Sequence, residues 1–142
     1  MSYEFDKLLE ERKLIKGGIT PEMVEKEMKN AKLDLQRAEH TYDEEDYKWA
    51  TVMAYYSMFH SIRALIYSKG YREKSHRALL IAFKELLIDS GILEEKYFKN
   101  FDYAMYLRES ADYRGEYSEG SAAETIENAK DLLTVVEKIL KR

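Results

Sequence analysis

Apolar positions along this chain recur at steps of three and four, segment after segment, with short polar breaks between them. The most regular stretch runs from Trp49 to Lys69. Ala50, Ala54, Ser57, Ser61, Ala64 and Ser68 fall on one stripe of small residues, and Val52, Tyr55, Phe59, Ile62 and Ile66 fall on a stripe of large ones beside it. A helix built this way has packed neighbours on both sides, which places it at the centre of a bundle. Upstream, Val24, Met28, Ala31, Leu35 and Ala38 predict a helix over 21–42, with Thr20 as its N-cap and Pro21 at its first position. Downstream, Ser75 caps a helix carrying Leu79, Leu80, Phe83, Leu86 and Leu87. An aromatic-rich helix follows over 94–113, and Ser121 with Glu124 forms a capping box for a last helix through Ile126, Ala129, Leu133, Val136 and Leu140. A short helix over 1–16, with Phe5, Leu8, Leu9 and Ile15 on its apolar face, stops at Gly17-Gly18. No segment alternates with period two, so no strand is predicted. The expected fold class is all-α, with four long helices and one or two shorter ones.

Composition narrows the class. A chain of 142 residues, 45% hydrophobic, fits one domain that buries a core without staples. Cysteine is absent, so disulfides, Cys-ligated zinc and a Cys nucleophile are excluded, and a reducing cytoplasmic setting is the expectation. The first residues are acidic and polar, unlike a signal peptide. No apolar run approaches the roughly 20 residues a membrane span needs, and His60 and Arg63 interrupt the best candidate, so no membrane role is expected. A net charge of −4 argues against a general nucleic-acid coat and leaves room only for a local basic cleft.

Within that frame Arg108 is the most informative charge. It lies on the stripe Phe98, Phe101, Met105, Arg108, Asp112, and an arginine on an apolar face must be paired or must face a cleft. Asp112, one turn on, is the nearest pairing candidate. The alternatives are an internal ion pair and a guanidinium held in a groove for a phosphate. His60 reads as a core histidine bonded to a neighbour. His76, with Lys74, Ser75 and Arg77 at a helix start, reads as a cap with a surface contact or as an anion contact. His40 suits a helix C-terminus, and the run from Asp43 to Asp46 suits a solvated turn opening the next helix. No His pair has metal-ligand spacing and no P-loop is present, so no metal and no cofactor is expected.

Four blocks now carry a resemblance: Ala54-Tyr55-Tyr56-Ser57-Met58-Phe59-His60, Arg63-Ala64-Leu65, Lys74-Ser75-His76, and Leu107-Arg108-Glu109-Ser110-Ala111-Asp112-Tyr113. In order and spacing they resemble the HEPN-domain family, in particular its small stand-alone prokaryotic branch associated with toxin–antitoxin pairs. The resemblance implies an up-and-down four-helix bundle with additional short helices, spanning 20–142, with 1–19 as an N-terminal helical extension. It also implies a homodimer and a minimal nucleotidyltransferase as partner. Many members are metal-independent ribonucleases that share an Arg, four to six residues, then a His. Arg108 matches the Arg, but Tyr113 follows after four residues where the His would stand. Imidazole titrates near neutral pH and can move a proton; a tyrosine with an ordinary pKa of about 10 is a poor base at pH 7. The expected function is therefore a module that binds a nucleotide, an RNA or a partner through Arg108, Asp112 and Tyr113, with His76 at the groove edge. The alternative is a ribonuclease toxin in which Arg108 is catalytic and another group moves the proton.

Overall fold

The computed structural model describes residues 1–142. In chain order the elements are α1 (Tyr3–Glu10), β1 (Leu14–Lys16), α2 (Pro21–Asp43), α3 (Tyr47–Ser68), β2 (Tyr71–Glu73), α4 (His76–Phe83), α5 (Glu95–Tyr113) and α6 (Glu119–Leu140). A π-helical turn, Lys84–Ile88, prolongs α4. The class is all-α: α2, α3, α5 and α6 are the long helices, and the only sheet has two short strands. No helix is long and apolar enough to cross a membrane.

The centre of the bundle is α3, packed against α2, α4, α5 and α6. Its small stripe explains how so many neighbours fit. Ala50, Ala54, Ser57, Ser61 and Ala64 are completely buried, and only Ser68 at the helix end is exposed. Small side chains let the α2 backbone approach closely enough for Ser57 Oγ to donate to the Ala31 carbonyl of α2 at 2.8 Å. The large stripe is buried as well, with Tyr55 stacked on Phe101 of α5 at 5.4 Å between ring centroids. Three contacts run the length of the α2–α6 seam: Lys32–Glu137 at 3.6 Å, Glu39–Lys130 at 3.5 Å and Tyr42–Glu119 at 3.4 Å. They pair the middle of α2 with the end of α6 and the end of α2 with the start of α6, so the two helices are antiparallel.

A third stripe of α3 is left partly open. Trp49, Met53, Tyr56, His60, Arg63 and Tyr67 recur at the same alternating steps of four and three, and none of the six is fully buried. This stripe floors the site described below.

Three expectations need correction. The chain does contain strands: Leu14, Ile15 and Lys16 pair antiparallel with Glu73, Arg72 and Tyr71. Three residues are too few to show a period of two, and the partner lies far away in sequence, so no local signal marks the pairing. The first helix ends at Glu10 rather than reaching Lys16, because Arg12 takes a left-handed conformation (φ 57°) that turns the chain into β1. Finally α6 is capped by Ser118, whose Oγ accepts from the Ser121 N–H at 3.0 Å, so Gly120 lies inside the first turn and not in a loop. The Thr20 and Ser75 caps each accept the expected backbone N–H, and Asp46 caps α3 by accepting from the Trp49 N–H.

Residues 1–19 are held by buried apolar contacts. Phe5, Leu8 and Leu14 are almost wholly buried, and Phe5 meets Tyr71 of β2 edge-on at 5.5 Å. The Ser2 N–H donates to the Glu85 carboxylate, and Glu4 reaches Arg77 at 3.6 Å.

Candidate functional site

Helix α5 turns Phe101, Ala104 and Ala111 into the bundle. Arg108, one turn beyond Ala104, therefore lies across the open stripe of α3. Its guanidinium carbon stands 5.7, 5.5 and 5.3 Å from the ring centroids of Tyr55, Tyr56 and Tyr113. Its Nη2 donates to the Tyr56 hydroxyl at 3.0 Å and lies 3.5 Å from an Asp112 carboxylate oxygen. Its Nε–H is buried with no acceptor. Arg108 is 14% exposed and Asp112 26% at the side chain, whereas Tyr113 stands 72% exposed at the mouth. The sequence-predicted trio of Arg108, Asp112 and Tyr113 thus shares one place.

Electrostatics hold the guanidinium charged. Burial alone would lower its pKa, but Tyr56, Tyr113, Asp112 and Tyr55 outweigh that and the net direction is upward. Tyr55 shows the same crowding from the other side: burial pushes its phenol up to about 12, against the opposing pull of Arg108.

His76 sits apart from Arg108. It occupies the exposed first position of α4, and its ring packs on Phe59 at 5.4 Å. Phe59 in turn meets Tyr56 at 6.4 Å. The aromatic series His76–Phe59–Tyr56 connects the two positions, and His76 makes no hydrogen bond or ion pair to the guanidinium.

Further along the same stripe lies a cluster of charges under partial cover. His60 Nδ1 is 2.5 Å from Glu27 and its Nε2 is 3.5 Å from Asp34, both on α2. Arg63 donates from Nε and Nη2 to Glu73 of β2 at 3.1 and 2.7 Å, lies 3.7 Å from Glu27, and rests its plane on Phe59 at 4.5 Å. His60 is the bonded histidine expected from the sequence, but its partners were not foreseen. Glu27, Asp34 and Glu73 are isolated acids in sequence; the available signal was that Glu27 and Asp34 stand seven apart, on one face of α2. Tyr56, the direct partner of Arg108, was legible only as part of the Ala54–His60 block. The cluster is not arranged to hold a metal ion.

The HEPN domain model matches residues 24–142, most of the chain and every residue of this site. The chain belongs to the HEPN family. Two proteins from Methanocaldococcus jannaschii are similar to it. One, named "Putative toxin MJ0142", is 32% identical over 90 residues, 63% of this chain and 61% of that protein. Another, named "Putative toxin MJ0605", is 30% identical over 112 residues, 78% of this chain and 84% of that protein. The crystal structure of TT1696 from Thermus thermophilus superposes with a TM-score of 0.65 at 20% identity, over 82% of this chain and 97% of that one, which supports the fold alone. In this HEPN chain Tyr113, which follows Arg108 after four residues, has its ring beneath the Arg108 guanidinium.

Proposed function

We propose that this HEPN chain is the toxin-like half of a two-protein system and works as a binding module that grips an RNA or nucleotide phosphate with Arg108. The supporting observation is the state of that side chain. A guanidinium clasped between tyrosine faces keeps its planar fork in one orientation, with Asp112 as a weak partner at 3.5 Å. A phosphate at the mouth would replace Asp112 and satisfy the fork by two parallel hydrogen bonds, which are stronger than the contact they displace. Tyr113, largely exposed beside it, offers a face on which a base stacks. The names of two relatives carry the word toxin, which supports the toxin-like assignment. A small nucleotidyltransferase is the partner this reading expects, and a second copy of the chain is the expected assembly, joined around the exposed Tyr106, Tyr113 and Tyr117.

Binding is favoured over cleavage because the groups around Arg108 are phenols and one carboxylate, with no imidazole in contact. The test is titration of a labelled single-stranded RNA, and separately of ATP, into wild type and Arg108→Ala. Wild type should bind with an affinity that falls as salt rises, and Arg108→Ala should abolish binding while the helical spectrum is unchanged. Cleavage of the RNA by wild type, lost in the variant, would replace this reading with the ribonuclease one. A variant that unfolds, with no ligand bound by wild type, would make Arg108 a structural ion-pair residue.

A further inference from the structure

A groove lies on the α2–α6 seam and shares no residue with the Arg108 site. It is an open groove of about 760 Å³ beside the first three turns of α2 and the last turn of α6. Its apolar lining comes from Val24 and Met28 of α2 and Leu140 of α6; Val24 and Leu140 are only half-buried. Lysines 29, 32 and 141 stand around it, against two carboxylates, Glu25 and Glu137. Lys32 is committed to Glu137 at 3.6 Å, whereas Lys29 and Lys141 make no ion pair.

The volume falls in the range of small-molecule sites, which are apolar with a few polar groups that fix orientation. The local balance of charge is positive, the reverse of the chain's −4. Two unpaired ammonium groups beside an apolar slot are complementary to one kind of ligand: an anion at the end of an apolar body. A polyanion such as RNA meets too much apolar wall and too many carboxylates here, and a cationic amphiphile meets the wrong charge.

We propose that this groove is a binding site for a small amphiphilic carboxylate, with its hydrocarbon body between Val24, Met28 and Leu140 and its head between Lys29 and Lys141. Sodium decanoate, kept below its micelle concentration, is the probe. Calorimetric titration of the full chain should give saturable binding of one decanoate per chain. Acetate, which lacks the body, and decyltrimethylammonium, which inverts the head, should not bind. Val24→Glu, at a half-buried position and with its helical spectrum checked against wild type, should weaken decanoate at least tenfold, and the double variant Lys29→Glu with Lys141→Glu should weaken it several-fold. Arg108→Ala should leave it unchanged, which separates this site from the phosphate site. Absence of saturable heat with wild type, equal binding of the ammonium amphiphile, or an affinity untouched by Val24→Glu would each overturn the proposal.

Discussion

The guanidinium of Arg108 is held by its faces as much as by its edge, and this distinguishes its role from that of its charge. Arg108→Lys keeps the charge but loses the fork and the stacking on tyrosine, so RNA or ATP binding should be largely lost although the net charge is unaltered. Tyr56→Phe keeps the ring and removes only the hydroxyl that accepts from Nη2, and should cost about 1 kcal/mol in chemical denaturation. The neighbouring Tyr55 gives a pH test. Its folded pKa is pushed up to about 12, chiefly by burial, while the unfolded chain titrates near the ordinary value of about 10. The folded state therefore holds the proton more tightly, and the stabilisation is complete below about pH 10 and lost as pH rises toward 12. Burial raises Tyr67 in the same direction. Denaturation curves measured across that alkaline window should fall for wild type and fall less steeply for Tyr55→Phe. An identical slope in the variant would show that Tyr55 does not carry the effect.

Among the elements, α3 and the turn before it make the sharpest predictions. Ala54 is completely buried in the small stripe, so Ala54→Leu should overpack the bundle and cost about 1–3 kcal/mol, read as a lowered melting temperature. The α2–α3 turn closes as a Schellman motif: the Asp46 N–H donates to the Thr41 carbonyl at 2.8 Å and the Glu45 N–H to the Tyr42 carbonyl at 2.9 Å. Glu45 takes the left-handed conformation this requires, at φ 63°. Glu45→Gly should relieve that strain and stabilise by up to about 1 kcal/mol; a loss of stability would show that the carboxylate outweighs the backbone. These same features show what the sequence made legible. The six-residue stripe and the caps at Thr20 and Ser75 place the helices because their signals lie within a few residues of one another. Arg108 and Asp112 were readable together for the same reason, being one turn apart on an apolar face. The β1–β2 pairing, the Tyr56 hydroxyl and the carboxylates around His60 were not, because each depends on which helices become neighbours. The Ser118 cap was missed for a different reason: Ser118 and Ser121 offer the same chemistry three residues apart, and only the path of the incoming chain chooses between them.

For the molecule as a whole, the exposed aromatics Trp49, Tyr103, Tyr106, Tyr113 and Tyr117 are more than a solvated surface needs, and the expected homodimer would use those around the end of α5. Light scattering at micromolar concentration should return twice the 16.8 kDa chain mass, and Tyr106→Glu should return the single-chain mass. The N-terminal segment is anchored by Phe5, so Phe5→Ala should cost about 3–5 kcal/mol, with the α2–α6 ion pairs intact. The pairing of Leu14–Lys16 with Tyr71–Glu73 has a further consequence, in time and not in space. Between those strands lies the whole α2–α3 hairpin, whose contacts are close in sequence and form early. Until the hairpin has closed, β1 has no partner, and Phe5, Leu8 and Leu14 have nowhere to be buried. Residues 3–16, made before β2, are thus among the last to reach their native place. During synthesis the chain carries an apolar, strand-competent segment in water, for as long as it takes to make β2.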